Sequence, residues 1–455
     1  MASKKVLLLL SSDRFSYPLM RFLTTEGKIF GWKIRIGCMF DPPMAERIGK
    51  EKFSLEPDII SITKMQECEQ AIKKSDLVIG VVTDLLLLQV ADACLLYRKS
   101  LIAPLALNRQ MVSRKAAAKD RNILLLMDCG FSPGLDHITA KKMIDNIHAK
   151  GGKITSFRTY SGSFIPQTSA DNSWGFKMVE PITELLSLGR QHNRHLLQGH
   201  LQHVPYHRLF ERCENIDGPK LDDTIAIPAG DSLYYRKIYG LSDAHTVVKG
   251  KLMPKGFDRI WNILIRLGLT DGTSKIDFCG DWSFCDLLDS FVPYSETGSL
   301  EERLQQYTGA TLDEVEKLRW LGLFDASAPA DQKDMTVATM LQQLLEAKLT
   351  PLGDEQDQVI MEHQLSYEFR DELYEFRATL VSKGDNVRDG ALAKAIGLTC
   401  GIAAKSFLLG SITVKGLHTP VIREIYDPIL NELSDLGVAF HVEEKKLGEP
   451  EAVLK

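Results

Sequence analysis

A short turn, Ser11-Ser12-Asp13-Arg14-Phe15-Ser16, holds the first residues of this sequence whose types and spacing bear on chemistry. An apolar run over residues 6–10 leads into it, and a helix is predicted from about residue 17. That is the outline of a unit that holds phosphate at a helix start. Such a turn wants glycine where the backbone nears a pyrophosphate. The corresponding positions are Ser11, Asp13 and Ser16, whose side chains crowd the approach, and Asp13 sets a negative charge beside the phosphates. Arg14 works the other way, since a guanidinium in the turn can grip a phosphate. Thr83 opens the next loop at a carboxyl-end edge, after the apolar strand at 76–82. Asp41 comes late for a carboxylate that would bind ribose, and it leads into Pro42-Pro43 as the turn's own residue.

A second loop, Asp128-Cys129-Gly130-Phe131-Ser132-Pro133-Gly134, ends another apolar strand and runs into Leu135-Asp136-His137 at a helix start. It is the strongest local motif. His192, His195, His200, His203 and His207 crowd one region, but an extended run does not converge them on one point, so no metal site is expected. The eight cysteines form no CxxC pair and read as reduced structural thiols. His363 reads as a packed histidine on a strand, and His137 equally as a helix-capping, cleft-lining residue or as a chemical one.

The elements around these residues alternate. Predicted strands at 6–10, 32–38, 58–62, 76–82, 100–105 and 123–127 are separated by helices at 17–26, 67–74, 86–96 and 110–120. Buried apolar strands spaced by helices imply a parallel sheet covered on both faces. Core packing is expected for residues 85–88. The character changes after residue 130. Strands at 153–162, 197–204, 223–228, 246–253, 357–370 and 372–382 lie far apart in sequence, among helices at 135–149, 180–188, 256–267 and three between 299 and 347. Two further helices, 386–396 and 401–409, then 426–436, precede a short strand at 438–442 and a charged tail expected to fray. The fold class is α/β: an N-terminal Rossmann-like parallel sheet with helices on both faces, plus a mixed α+β substrate-type domain.

Composition narrows the function. An apolar fraction of 44% and a charged fraction of 25% are those of an ordinary globular chain. A formal net charge of -5 offers no basic field for nucleic acid. Only five apolar residues follow Lys4-Lys5, too few for a signal segment or membrane span, so a cytoplasmic location is expected.

The loop Gly130-Phe131-Ser132-Pro133-Gly134-Leu135-Asp136-His137, with Gly151-Gly152-Lys153-Ile154, resembles the saccharopine dehydrogenase family of glutamate-forming type, as a divergent bacterial-type member. Val204-Pro205-Tyr206-His207-Arg208-Leu209-Phe210, Asp231-Ser232-Leu233-Tyr234-Tyr235, Gly268-Leu269-Thr270-Asp271 and Gly401-Ile402-Ala403-Ala404-Lys405 agree, and the resemblance runs from residue 5 to about 443. It implies a Rossmann-like domain at 1–129 that binds a nicotinamide cofactor, NAD(P). A substrate and dimerisation domain follows at 130–395, then helices returning to the first domain at 396–442 and a charged tail at 443–455. It also implies an amino-acid-like ligand in the interdomain cleft and a homodimer, with neither nucleic acid nor membrane as partner. Active members oxidise or form a secondary-amine C–N bond in lysine or polyamine metabolism.

The family's motif residues are replaced together. Its glycine turn falls on Ser11, Asp13 and Ser16, with Pro18 retained, and its T-A-S-Y loop falls on Ala103-Pro104-Leu105-Ala106. Its proposed acid/base aspartate is Ser132, and its substrate-facing cysteine is Ser161. The K-F-x-W-x-P-R segment reads Lys177-Met178-Val179-Glu180-Pro181-Ile182. N-R-D-S reads Ala229-Gly230-Asp231-Ser232, and R-G-T-L-R reads Lys249-Gly250-Lys251-Leu252-Met253. Lysine does not reproduce the bidentate grip of arginine on a carboxylate; Arg208 and Arg212 are further candidate cations. Asp128 and Asp136 are the carboxylates left for acid/base work. The resulting expectation is a saccharopine-dehydrogenase-like protein with degenerate cofactor and substrate motifs, catalytically inactive or strongly altered. The alternative is an active NAD(P)-dependent oxidoreductase acting on the C–N bond of a saccharopine-like or other secondary-amine amino acid. A third reading is a partner-binding subunit.

Overall fold

Continuous apolar runs make the first sheet, because a parallel strand covered on both faces has no side to expose. The structure, a computed structural model, describes residues 5–11, 16–38, 58–61, 65–190, 192–216, 218, 221, 223–275, 282–327, 335–386 and 388–447. The strands β1 (Val6–Ser11), β2 (Lys33–Cys38), β3 (Asp58–Ser61), β4 (Leu77–Val81), β5 (Ser100–Ile102), β6 (Leu124–Leu126) and β16 (Gly416–His418) form a parallel sheet in the order β16-β6-β5-β4-β1-β2-β3. The order reverses between β1 and β4, which is where open α/β sheets bind ligands at their carboxyl ends. Leu7, Leu8, Leu9 and Leu10 of β1 are all fully buried, each contributing about 1.5–3 kcal/mol. Leu8 and Leu10 join the core under the helix Asp84–Tyr97.

The first compact unit comprises Met1–Ile154, Tyr367–Leu373 and Ser382–Glu443. Its longest helix, Ala391–Leu409, lies on the helix Tyr17–Phe30. Gly397 and Gly401 make that approach possible, since a Cβ on Gly397 would sit 2.8 Å from the Leu19 backbone nitrogen and one on Gly401 2.5 Å from the Phe22 ring. Among the described residues this one helix is long and apolar enough to cross a membrane, and 67% of its most apolar window is buried inside the protein.

The second unit comprises Thr155–Ser366, Tyr374–Val381 and Glu444–Lys455. Its mixed sheet is built from β7 (Lys153–Ile165), β8 (Lys177–Met178), β9 (Arg194–Leu197), β10 (His200–His203), β11 (Glu214–Asn215), β12 (Thr224–Ile227), β13 (Thr246–Pro254), β14 (Gln358–Phe369), β15 (Glu372–Lys383) and β17 (His441–Lys446), with the path β10-β9-β13-β7-β14-β15-β17. β14 and β15 are joined by Arg370 and Asp371, both left-handed at φ 53° and 61°, as a two-residue hairpin requires. The helices share a core with the sheet, in which Phe257, Trp261, Leu318 and Leu345 join the strand residues Met178, Ile225, Ile227 and Met253, while a second cluster gathers Tyr160, Leu252 and Ile360.

Several elements differ from the sequence reading, which also lacked the helices Ser232–Tyr239 and Phe284–Phe291 and the strand β16. The predicted strand at 197–204 is a hairpin, β9 and β10, turned at left-handed Gln198 and Gly199, and Tyr206–Leu209 is a helix rather than an extended run. The predicted helices at 386–396 and 401–409 are one, because Gly401 is a packing contact and not a stop. The tail does not fray at once: His441–Lys446 adds an edge strand to the second sheet. Leu85 is 73% exposed in the first turn of its helix, while Leu87 faces the core.

Candidate functional site

The carboxyl ends of β1 and β4 start two helices. Ser11 closes β1, and its hydroxyl donates to the Ser16 hydroxyl at 2.7 Å, both buried. Ser12, Asp13, Arg14 and Phe15 lie outside the described residues, as does Asp41. Ser16 caps the helix Tyr17–Phe30, with Pro18 in its first turn, and Thr83 caps the helix Asp84–Tyr97. Neither side chain makes a capping hydrogen bond. Elsewhere, Asn108, Asp231, Ser283, Ser299, Thr311 and Thr336 each accept from the first turn of their own helix. Among the described helices capped by Ser, Thr, Asn or Asp, the two at the sheet's reversal point are the ones whose cap side chain does not bond its own first turn; the helices that start at Gly134, Gly256, Gly390 and Ile422 have no side-chain cap bond either. Helix starts favour anions, and Ser16 and Thr83 stand where the phosphates of a dinucleotide would lie at the reversal point of such a sheet.

The loop after β6 gathers the acidic candidates of the first unit. Asp128 has a left-handed backbone at φ 54° and is buried. Its amide donates to the Leu105 carbonyl at 3.0 Å, and its Oδ1 accepts from the Leu107 amide at 2.6 Å. The residues that replace the family's T-A-S-Y loop are therefore tied to Asp128. Its Oδ2 lies 3.7 Å from His137 Nε2, and both side chains are almost wholly enclosed. Asp136 is used differently. Its Oδ1 accepts from the amides of Gly134 (2.6 Å) and His137 (2.8 Å), and its Oδ2 accepts from the Ser132 hydroxyl at 3.0 Å. That carboxylate braces the loop and the helix Leu135–Ala149 behind it. Ser132 is the brace's third arm.

In the second unit β7 and β13 run parallel, pairing Thr159 with Lys249 and Ser161 with Lys251. Lys251 Nζ donates to Glu180 Oε2 at 2.6 Å, and the Ser163 hydroxyl donates to Glu180 Oε1 at 2.9 Å. With Ser161 these line a cavity of about 20 Å³, room for a single water. Burial alone would push the Glu180 carboxyl up; the Lys251 ammonium and the two hydrogen bonds outweigh it and hold the carboxyl below its ordinary value. Lys251 is correspondingly raised, burial being overcome by Glu180.

Because Glu180 is lowered in the folded chain, its stabilisation is present above the unfolded carboxylate value of about 4.3 and is lost as pH falls through the folded value. Lys251→Met is therefore expected to destabilise by about 1–2 kcal/mol at neutral pH. The deficit should shrink towards zero as melting is followed from about pH 8 down to about pH 3. A deficit that stays constant with pH would show that the pair is not the cause.

Asp231 and Ser232 open the helix Ser232–Tyr239. Asp231 caps it through the Leu233 amide and takes a bidentate grip from Arg194 at 2.8 and 2.7 Å. Hydrogen bonding from Arg194 is the main reason its carboxyl is lowered. Ser232 accepts from the Lys249 amide at 2.8 Å, and Lys249 Nζ donates to the Tyr235 hydroxyl at 2.7 Å. Sequence reasoning missed Glu180, Ser163, Tyr235 and Arg194. The one signal for Glu180 was its place just before Pro181, inside the altered K-F-x-W-x-P-R segment. His195 and His363 are buried while His200 and His203 are exposed; His363 shares a 2.9 Å contact with Thr159.

A family model described as "Saccharopine dehydrogenase C-terminal domain" matches residues 130–438. The chain is 27% identical over 458 residues to the mouse (Mus musculus) alpha-aminoadipic semialdehyde synthase, mitochondrial, a match covering 97% of this chain and 48% of the mouse protein. The chain thus spans about half the length of the mammalian relatives it matches. It is 26% identical to the saccharopine dehydrogenase [NADP(+), L-glutamate-forming] of Pyricularia oryzae, covering 96% of this chain and 97% of that one. The fold is shared with apo histidine-tagged saccharopine dehydrogenase (L-Glu forming) from Saccharomyces cerevisiae, at a TM-score of 0.85 and 22% identity over 98% of this chain and 100% of the other. With a Rossmann-like sheet ahead of a matched region that takes in the Asp128 loop's glycines, β7, β13 and the last helices, the chain belongs to the saccharopine dehydrogenase family.

Proposed function

We propose that the chain is an NAD(P)-dependent oxidoreductase acting on the C–N bond of a saccharopine-like or other secondary-amine amino acid. The observation that carries this reading is the pair of uncapped helix starts at the reversal point of the first sheet, Ser16 and Thr83. A side-chain cap there would compete with a phosphate for the same N–H groups. The full-length match to a fungal protein named for NADP(+) and for forming L-glutamate supports the same reading.

A nicotinamide bound at those helix starts would supply the acceptor for a hydride from the carbon beside the amine. The chain's residues must then move protons: one off the amine nitrogen, then, as water splits the resulting imine into a carbonyl and a primary amine, both of the water's protons onto that nitrogen, so that one proton is released overall. Asp128, backed by His137, is the group proposed to relay them, taking the proton from the amine and passing the water's protons to the leaving nitrogen, since Asp136 is committed to bracing. Lys251 and Lys249 are proposed to receive substrate carboxylate, and Asp231 and Ser232 to fix Lys249 through the helix they start.

A catalytically silent or strongly altered protein is the second reading. Its support is that Lys251, standing in a motif where the family has arginines, is already neutralised by Glu180.

The test is a titration of the chain with NADPH and with NADH, followed by nicotinamide fluorescence, and then reduction of NADP(+) or NAD(+) in the presence of saccharopine. Saturable binding below about 1 mM with turnover is expected. Binding without turnover on saccharopine or related secondary amines would move the assignment to the second reading, and no binding of either nucleotide would remove the oxidoreductase reading.

A further inference from the structure

The second unit holds a cavity of about 530 Å³, within the roughly 300–1,000 Å³ of small-molecule sites. It lies between the helix Ile182–Ser187 with its extension Leu188–Arg190, the loop that follows the helix Phe257–Arg266, and the start of the helix Val337–Leu349. It is separate from the Glu180–Lys251 group. Thr183, Ser187 and Arg190, at helical spacing, face the large cavity, whereas Pro181, Glu184 and Leu185 face the small one.

The chemistry of the walls is specific. Hydroxyls arrive from all three walls: Thr183 and Ser187, Thr270, Thr336 and Thr339. Thr336 and Thr339 are locked together at 2.8 Å, and Thr336 also accepts from the Thr339 amide, so that corner is preformed. Arg190 brings the cation. Its Nη2 makes one long contact, 3.4 Å to the Gly272 carbonyl, and among the described residues it has no acidic partner. The guanidinium lies against Gly272, where a Cβ would come within 2.6 Å of Nη2. The acid on this wall, Asp271, is turned onto its own loop, accepting from the Thr273 amide at 2.7 Å and the Thr273 hydroxyl at 2.6 Å.

We propose that this cavity binds a small polyhydroxylated anion, with its phosphate or carboxylate on Arg190 and its hydroxyls on the serine and threonine walls. A guanidinium without a carboxylate partner offers a charge-assisted fork to such an oxyanion. Hydroxyls, which donate and accept, match hydroxyls and reward neither an apolar nor a cationic ligand. The site goes beyond the oxidoreductase reading and does not depend on turnover.

The test is calorimetric titration of the full chain with ribose 5-phosphate, with gluconate and with neutral ribose. At least one of the two anions is expected to bind with Kd of about 1 mM or tighter, and ribose about tenfold more weakly or worse. The stronger of the two identifies the head group. Arg190→Ala should weaken that anion by about tenfold or more. Thr339→Val, which keeps the helix and removes one hydroxyl, should weaken it by about threefold or more. Excess saccharopine should leave the probe bound. No binding of either anion up to about 20 mM, equal binding by Arg190→Ala, or displacement by saccharopine overturns the proposal.

Discussion

Gly134→Ala is expected to cost more than about 3 kcal/mol, enough to leave the first unit unfolded in a marginally stable chain. A Cβ at this position would lie 2.2 Å from both the nitrogen and the oxygen of Gly130, and 2.4 Å from its carbonyl carbon. All of these atoms are backbone, so no side chain can swing away. The backbone at φ 146° is also one that an L residue avoids. The shift needed would pull apart the bonds that define the loop: Gly134 to Asp136, Gly130 to Pro133 and Leu135 to Gly130. Gly151→Ala supplies the contrast. Its φ is 86° but its Cβ would meet nothing within 4 Å, so about 1 kcal/mol is expected. Chemical denaturation of both variants decides the matter: equal losses would mean that backbone conformation, and not the contact with Gly130, is what counts.

Asp128→Asn is expected to lower kcat/KM for amine oxidation by about 10²–10⁴-fold. The amide is nearly isosteric and its oxygen can still accept from the Leu107 amide, so melting should change little. What disappears is the ability to take a proton and the charge that faces His137 across 3.7 Å. The wild-type rate should rise with pH through one ionisation, and the variant's profile should lose that limb. Asp136→Asn separates proton transfer from bracing. It disturbs a carboxylate accepting two backbone amides and the Ser132 hydroxyl, so it should lower the melting temperature and leave the pH limb in place. A loss in Asp128→Asn of less than about threefold, or an unaltered pH profile, would take proton transfer away from Asp128.

Most of the first sheet could be read directly from the sequence. β1, β4 and β6 are apolar runs with nothing to expose, and burial on both faces makes such runs continuous. What stayed hidden depended on contacts distant in sequence. Gly401 looks like a helix breaker until Phe22 is seen against it. The Gln198-Gly199 turn lacks the usual Asn-Gly signal for its type. β17 is charged and exposed because an edge strand needs only one neighbour. The site was legible as residue types but not as commitments. Nothing local says that Asp136 spends its oxygens on the backbone, or that Glu180 neutralises a lysine 71 residues away. Nor could the sequence say that Ser16 and Thr83, good capping residues by type, would leave their helices uncapped.

The helix pair built on Gly397 and Gly401 also sets a timetable for biosynthesis. The ribosome releases Tyr17–Phe30 early, yet the helix that covers Leu19 and Phe22 follows only after the second unit's strands β7 to β15 have been translated. β6 likewise waits for β16. The second unit can therefore have all of its sheet but the edge strand β17 while the first is still an open half-sheet with an apolar face to solvent or a chaperone. For a nascent chain, the cofactor-type unit is started before the second and waits, unfinished, through nearly all of the second's synthesis.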